Sequence, residues 1–226
     1  MWDGWRDSVA VTPTPIPRYA RNDNINMEVI LIDSPVANVA NIARALRQAG
    51  ADLHVTRDAD VIAAADKVIL PGVGSFAAAM QWLREWCIDE AIRNATSRGA
   101  SLLGICVGHQ LLFDLSHEMG TTPGLGLLRG EVRRFAGPLP VPQIGWNRVW
   151  TARGGCPPLF EGIADGAAFY FVNSYAVNAE SEIARADYGG AFTAAARSGR
   201  IFGVQFHPEK SSAAGLRLLR NFVQWT

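Results

Sequence analysis

The chain has 226 residues, 49% hydrophobic and 19% charged, which is enough for one sizeable core and unlike a disordered or membrane-embedded composition. Its 21 Lys and Arg balance 21 Asp and Glu, with no basic cluster longer than a pair, so the electrostatic footprint of a nucleic-acid or anionic-lipid binder is missing. No apolar run approaches the roughly 20 residues that span a bilayer, and the N-terminus lacks the basic-then-apolar layout of a secretory leader; three widely spaced cysteines, Cys87, Cys106 and Cys156, with no C-x-x-C pair, argue against zinc and for a reducing, cytoplasmic setting.

Residues 1–26 differ in kind from the rest of the chain. Their T-P-T-P-I-P-R segment fixes several φ angles and removes backbone donors, so 1–26 is read as a flexible N-terminal extension ahead of one domain over 27–226. Met27, opening "MEVILID", is a second candidate for the natural start. From there the chain alternates between two periods. "EVILID" reads as a strand, and "NVANIARALRQAGA" as a helix with Val39, Ile42, Ala43, Leu46 and Ala49 on one face and Gly50 as its stop. "DKVILPGVGSF" repeats the unit, with a strand over Val68–Leu70, a glycine-bearing loop over Pro71–Gly74 and a helix from Phe76 through "AAAMQWLREW". A third unit places a strand over Leu102–Ile105 and a helix over Gln110–Leu115. After about Gly124 the pieces become short and strand-like, among them "GEVRRF", "WNRVW", "AFYFVNSYAV", "GGAFTAAARSG" and "RIFGVQF". A last helix from about Ser212 buries Leu216, Leu219, Phe222 and Val223. The expected fold is α/β: a largely parallel central sheet flanked by helices, with additional antiparallel strands in the C-terminal half.

Ligands of open parallel sheets gather at the carboxyl ends of the strands. Four unusual loops fall there: "DSPVAN", "PGVGSF", "GICVGH" and "VQFHPEKS". Gly104-Ile105-Cys106-Val107-Gly108 has the form of a nucleophile elbow, in which small residues two either side let a strand turn sharply into a helix. The turn would stand Cys106 at a helix N-terminus, where the dipole favours negative charge. On the elbow pattern alone, a buried packing cysteine is an equal reading.

A cysteine nucleophile needs a base, and there are four histidines. His54, in "ADLHVT", and His117, near the end of the third helix, read as solvated or packed. His109 is three residues from Cys106, contact distance along a helix, but an elbow throws its nucleophile away from the next helix. His207 ends an apolar strand, and Glu209 two positions on would project to the same side in extended geometry, with Pro208 stiffening the path. A carboxylate there can hold the imidazole in one tautomer and stabilise its charged form. Without the elbow, two solvated residues at a strand end would be the simpler account; with it, a Cys106-His207-Glu209 triad for acyl transfer explains more. Such chemistry also needs oxyanion donors: the Val107 N–H at the helix start is one, and Gly72 and Gly74 free the intervening peptides to supply another.

"GICVGHQLLF" together with "VQFHPEKSS" resembles the class I, triad-type glutamine amidotransferases. "LPGVGSF", "GLGLLRGEVRRF", "VPQIGWNRV", "FYFVNSYAV" and "FHPEKSSAAGLRLLRNF" narrow the resemblance, in order and spacing, to the glutaminase subunit of imidazole glycerol phosphate synthase, over about Met27 to Trp225. The resemblance implies hydrolysis of L-glutamine to glutamate and ammonia, with the ammonia used by a (β/α)8-barrel cyclase in a heterodimer of histidine biosynthesis. By motif match Cys106 attacks the amide carbon, His207 is base and then acid, and Glu209 orients His207. Val107 and the Gly72–Val73 peptide form the oxyanion hole, while Gly74, Gln110, Asn173, Ser174 and Tyr175 hold glutamine. No metal and no cofactor is implied, and the free chain is expected to be nearly idle until its partner binds substrate.

The chain departs from that pattern at three places. The first loop, commonly D-Y-G-x-G-N, is "DSPVAN", and Gln143 and Asn173 stand where histidines are common. Two alternatives stay open: a glutaminase feeding a different synthase that amidates a sugar or nucleotide, and a non-catalytic subunit that retains the fold.

Overall fold

The computed structural model describes residues 28–35, 38–152 and 158–225; residues 1–26, Met27 and Cys156 lie outside the described residues. Strands β1 (Glu28–Ile32), β2 (Asp52–Thr56), β3 (Lys67–Gly72) and β4 (Ser101–Cys106) alternate with helices α1 (Val39–Gln48), α2 (Ala59–Ala64), α3 (Phe76–Glu85) and α4 (Ile88–Ser97). The short helix α5 (Val107–Leu111) continues from β4 without a break. Beyond it come β5 (Leu115–Ser116), β6 (Thr122–Pro123), β7 (Glu131–Arg134), β8 (Gln143–Thr151), β9 (Ala167–Asn173), β10 (Tyr175–Ala176), β11 (Glu182–Asp187), β12 (Ala191–Ser198) and β13 (Ile201–Val204), then helix α6 (Ser212–Gln224).

Nine strands form one sheet in the order β2-β1-β3-β4-β13-β12-β11-β8-β9. The pairs from β2 to β13 are parallel and those from β13 to β9 antiparallel, as the expected fold class requires. A smaller sheet, β10-β7-β5-β6, packs beside it. Every residue of β3 and β4 is buried, the signature of strands covered on both faces. Helices α1, α3, α4 and α6 each turn an apolar stripe to the sheet, for example Ile42, Ala43 and Leu46 of α1 and Leu218, Leu219, Phe222 and Val223 of α6. On the antiparallel side, Phe160, Phe169, Phe171 and Phe206 make an aromatic cluster whose tightest pair, Phe169 and Phe206, has ring centroids 4.1 Å apart.

Local chemistry explains the boundaries. Asn38 accepts the Asn41 N–H at the start of α1. At its end, the Gly50 N–H donates to the Arg47 carbonyl and the Ala51 N–H to the Leu46 carbonyl, with Gly50 at φ +93°, so the expected stop is a Schellman turn. Helix α4 is not evident from the sequence, because its apolar spacing continues that of α3; the break between them is Cys87, held at φ +55°. The third helix also differs from expectation. It ends at Leu111 rather than Leu115, because the 124–128 loop takes its carbonyls: Leu125 N–H donates to Leu111 O, Leu127 and Leu128 N–H to Leu112 O, and Gly126 N–H to Phe113 O. Those bonds replace the next helical turn and release Leu115 into β5. Among the described residues, no helix is long and apolar enough to cross a membrane.

Candidate active site

Parallel register brings the special loops to one edge. Gly72 at the end of β3 pairs with Cys106 at the end of β4, and Val204 of β13 pairs with Ile105, so the chain leaving β13 passes close beside the elbow. Cys106 sits at φ +56°, ψ −111°, a region that non-glycine residues rarely occupy, between the last strand residue and the first helical one. The flanking glycines are required by close approach. A Cβ on Gly104 would lie 2.5 Å from the Gly108 carbonyl oxygen, and one on Gly108 would lie 2.0 Å from the Leu70 carbonyl oxygen. Gly72 is equally constrained, its Cβ position being 2.7 Å from the Gly108 nitrogen.

The Cys106 side chain is buried, with Sγ 3.8 Å from the Val172 carbonyl oxygen. His207, also buried, shares the cavity wall with Cys106 and pairs through Nδ1 with Glu209 Oε1 at 2.9 Å. Burial by itself lowers the pKa of this imidazole. The hydrogen bonds to Cys106 and Glu209, and then the charges of those two groups, outweigh burial and push it up to about 10. The pairing with Glu209 agrees with the expectation, but its geometry differs: the chain leaves extended structure at His207, and Pro208–Lys210 form a 3₁₀ turn that carries the carboxylate back under the ring.

The other histidines stand apart. His109 is 0% exposed, packs edge-on against Phe113 with centroids 5.0 Å apart, and has no partner on either ring nitrogen. Burial pushes its pKa down to about 3, so it is a neutral packing residue lodged over Gly203. His117 pairs with Glu131 at 2.9 Å and His54 lies 3.5 Å from Glu28, both at the surface.

A cavity of about 320 Å³ opens over Cys106 and His207. Val73, Gly74, Val107, Gln110, Asn173, Ser174 and Tyr175 line it. Gly72 lies behind the wall in register with Cys106, and Glu209 lies behind His207. Gln110 is held by two acceptors, its Nε2 donating to Tyr175 O at 3.0 Å and to Gln205 Oε1 at 2.9 Å. Asn173 Nδ2 donates to the same Tyr175 carbonyl at 3.0 Å.

Three polar residues of this site carry no clear mark in the sequence. Gln205 is fully buried behind Gln110. Glu118 lines the cavity while its Oε2 accepts the Phe76 N–H at the start of α3, at 2.6 Å. Lys210 lines the rim, its ammonium 5.7 Å from the Tyr170 ring centroid. "VQFHPEK" contains two of them as strand-end polar residues; Glu118 has no local signal, since only the 111–128 loop structure turns it inward. Among the described residues, no group of three or more His, Cys, Asp or Glu is arranged to hold a metal ion. Beside the cavity, Pro142 leads into β8, whose outer face exposes Ile144 (65%), Trp146 (56%) and Trp150.

The comparisons with known proteins concern the chain as a whole. The family model for glutamine amidotransferase class-I matches residues 30–225. The imidazole glycerol phosphate synthase subunit HisH of Caulobacter vibrioides is 45% identical over 210 residues, covering 87% of this chain and 98% of that one. The HisH subunits of Moorella thermoacetica and Escherichia coli are 47% and 43% identical, covering 86% and 88% of this chain and 93% and 100% of theirs. Among solved structures, a glutamine amidotransferase superimposes with a TM-score of 0.65 at 23% identity, covering 86% of this chain and 96% of that one. Another, from Thermotoga maritima, gives 0.59 at 15% identity, covering 82% and 77%. A match along nearly the whole chain, on a fold that sets a cysteine elbow beside a buried histidine and carboxylate, establishes that the chain belongs to the class-I glutamine amidotransferase family.

Proposed function

We propose that this chain is the glutaminase subunit of an imidazole glycerol phosphate synthase: residues 27–226 hydrolyse L-glutamine to glutamate and ammonia, and a (β/α)8-barrel cyclase consumes the ammonia. Cys106 Sγ, paired with the His207 imidazolium, adds to the amide carbon of glutamine, and the amide oxygen becomes an oxyanion met by the N–H groups of Val107 and Val73, the latter belonging to the Gly72–Val73 peptide. Collapse breaks the C–N bond. The nitrogen takes the proton of His207 and leaves as ammonia, and a γ-glutamyl thioester remains on Cys106.

Thioester formation removes the sulfur's charge and its hydrogen bond, two of the influences that raise the His207 pKa, so burial draws the imidazole towards its neutral, basic form. It then takes a proton from water; the hydroxide adds to the thioester, the C–S bond breaks, and glutamate departs with thiolate and imidazolium restored. Glu209 orients His207 throughout. Gly74, Gln110, Asn173, Ser174 and Tyr175 hold the substrate, and the Glu118 carboxylate suits its α-ammonium group. A reducing, cytoplasmic setting keeps the nucleophile a free thiol.

The observation that carries this reading is that Cys106 and His207 line one cavity, with the buried Glu209 carboxylate paired to His207 behind it. The HisH relatives support the choice of partner, as does the exposed Ile144 and Trp146 face beside the cavity. The test is labelling with diazo-oxo-norleucine, together with a glutaminase assay with and without the cyclase and its ligand. Cys106 should be modified, Cys106→Ala should lose labelling and at least about 10⁴-fold in hydrolysis, and Cys87→Ala should change neither. Labelling that persists in Cys106→Ala refutes the nucleophile. A second reading has its own observation: Gln143 and Asn173 pair across β8 and β9 with Oε1 and Oδ1 buried and unpartnered, unlike the family's common histidines. Hydrolysis without any response to the cyclase would favour that reading, a glutaminase serving another synthase.

A further inference from the structure

His207 is held by its backbone as well as by its ring. Its N–H donates to the Tyr170 carbonyl of β9 at 2.8 Å. In an ordinary antiparallel bridge the return bond would run from the Tyr170 N–H to the His207 carbonyl. Here the Ser211 hydroxyl stands between them, accepting from the Tyr170 N–H at 3.0 Å and donating to the His207 carbonyl at 2.6 Å. Ser211 is 1% exposed. Its own N–H donates to Pro208 O and its carbonyl accepts the Gly215 N–H, each at 3.0 Å, so the hydroxyl cannot drift away from the turn. Helix α6 presses on the same turn: a Cβ on Gly215 would lie 1.9 Å from Pro208 O.

An inserted hydroxyl acts as a spacer of fixed length. Removing it leaves a buried N–H and a buried carbonyl facing one another across a gap. They can stay unpaired or close together, and closing draws the His207 peptide towards β9 and swings the imidazole away from its two partners.

We propose that Ser211 is a positioning residue of the glutaminase reaction, its hydroxyl setting the distance of the His207 peptide from β9 and thereby holding the imidazole in line between Cys106 and Glu209. The role rests on the glutaminase reading above. Ser211 does not line the cavity and leaves its other charged groups, Glu118 and Lys210, untouched.

The experiment titrates the four histidines of the full-length chain by nitrogen NMR, with His207 assigned from His207→Gln and buried His109 as internal reference, and measures glutamine hydrolysis in complex with the cyclase. In the wild type His207 should titrate near 10. In Ser211→Ala that value should fall by about one unit or more, and kcat should fall about 10- to 100-fold with KM within about twofold, the pattern of a displaced catalytic group. Ser211→Thr, which keeps the hydroxyl, should stay near wild type in both. A Ser211→Ala protein with wild-type titration and kcat overturns the proposal even if it melts earlier, because the serine would then be structural only. Should Ser211→Ala not fold, Ser211→Cys, which keeps the bulk with a poorer donor, is read by the same criteria. A wild-type His207 titrating near 6.5, with no glutamine hydrolysis, would remove the glutaminase reading and the positioning role together.

Discussion

Cys106 keeps a left-handed backbone that costs on the order of 1–3 kcal/mol, because the elbow is locked by contacts no side chain could enter. The strain lifts its sulfur towards the cavity and away from His109, which is nearer in sequence. His207 gains its basicity from its two partners against burial, so each partner has a separable effect. In Glu209→Gln the charge is lost, and the bond to Nδ1 becomes a weaker neutral one, while the shape is kept. The His207 pKa should therefore fall from about 10, and the alkaline limb of the kcat/KM profile, where imidazolium is lost, should move to lower pH. The rate at pH 7 should drop on the order of 10²–10⁴-fold, measured by steady-state glutaminase assays from pH 6 to 10.5; an unmoved alkaline limb would contradict the role given to Glu209.

At the scale of elements, α6 is anchored by a residue that sequence alone marks as surface. Lys67 opens β3, is 0% exposed, and donates to the carbonyls of Phe222, Val223 and Trp225 at 3.1, 2.6 and 2.8 Å. It thus closes the C-terminus of the helix that backs the catalytic turn, with the favourable sign for the helix dipole. Burial, and secondarily the charge of Arg200, lower its pKa from 10.5 to about 8. The unfolded chain holds this proton to higher pH, so the cost of burying the ammonium is fully present below pH 8 and is relieved between about 8 and 10.5. Lys67→Met should destabilise by about 1–3 kcal/mol at pH 7, since three buried acceptors lose their donor. The gap to wild type should widen as pH rises from 8 to 10, in thermal or urea melts; a variant as stable as wild type at both ends would show that the carbonyls find other partners.

At the scale of the whole molecule, the parallel half of the sheet delivers Cys106 and His207 to one edge, and β8 exposes Ile144 and Trp146 beside that edge. If the cyclase docks there, Trp146→Asp should leave the melting temperature unchanged and weaken cyclase binding by about tenfold or more, read by titration calorimetry; unchanged affinity would place the interface elsewhere. Much of the molecule is legible in its sequence. The strand and helix periods, the glycine pattern around Cys106 and the His207-Pro208-Glu209 spacing are local properties, written in residues a few positions apart, and they suffice for the fold class and for naming Cys106, His207 and Glu209 as candidates. Other features depend on groups far apart in the chain. The truncation of the third helix depends on the 124–128 loop capturing carbonyls, and Glu118 meets the Phe76 N–H 42 positions away. The 3₁₀ turn that brings Glu209 to His207, the hydroxyl of Ser211 bridging to β9 and the buried ammonium of Lys67 under α6 are settled by packing across the sheet. A sequence states what each segment prefers; which distant donor meets which orphaned acceptor is decided only when the layers close.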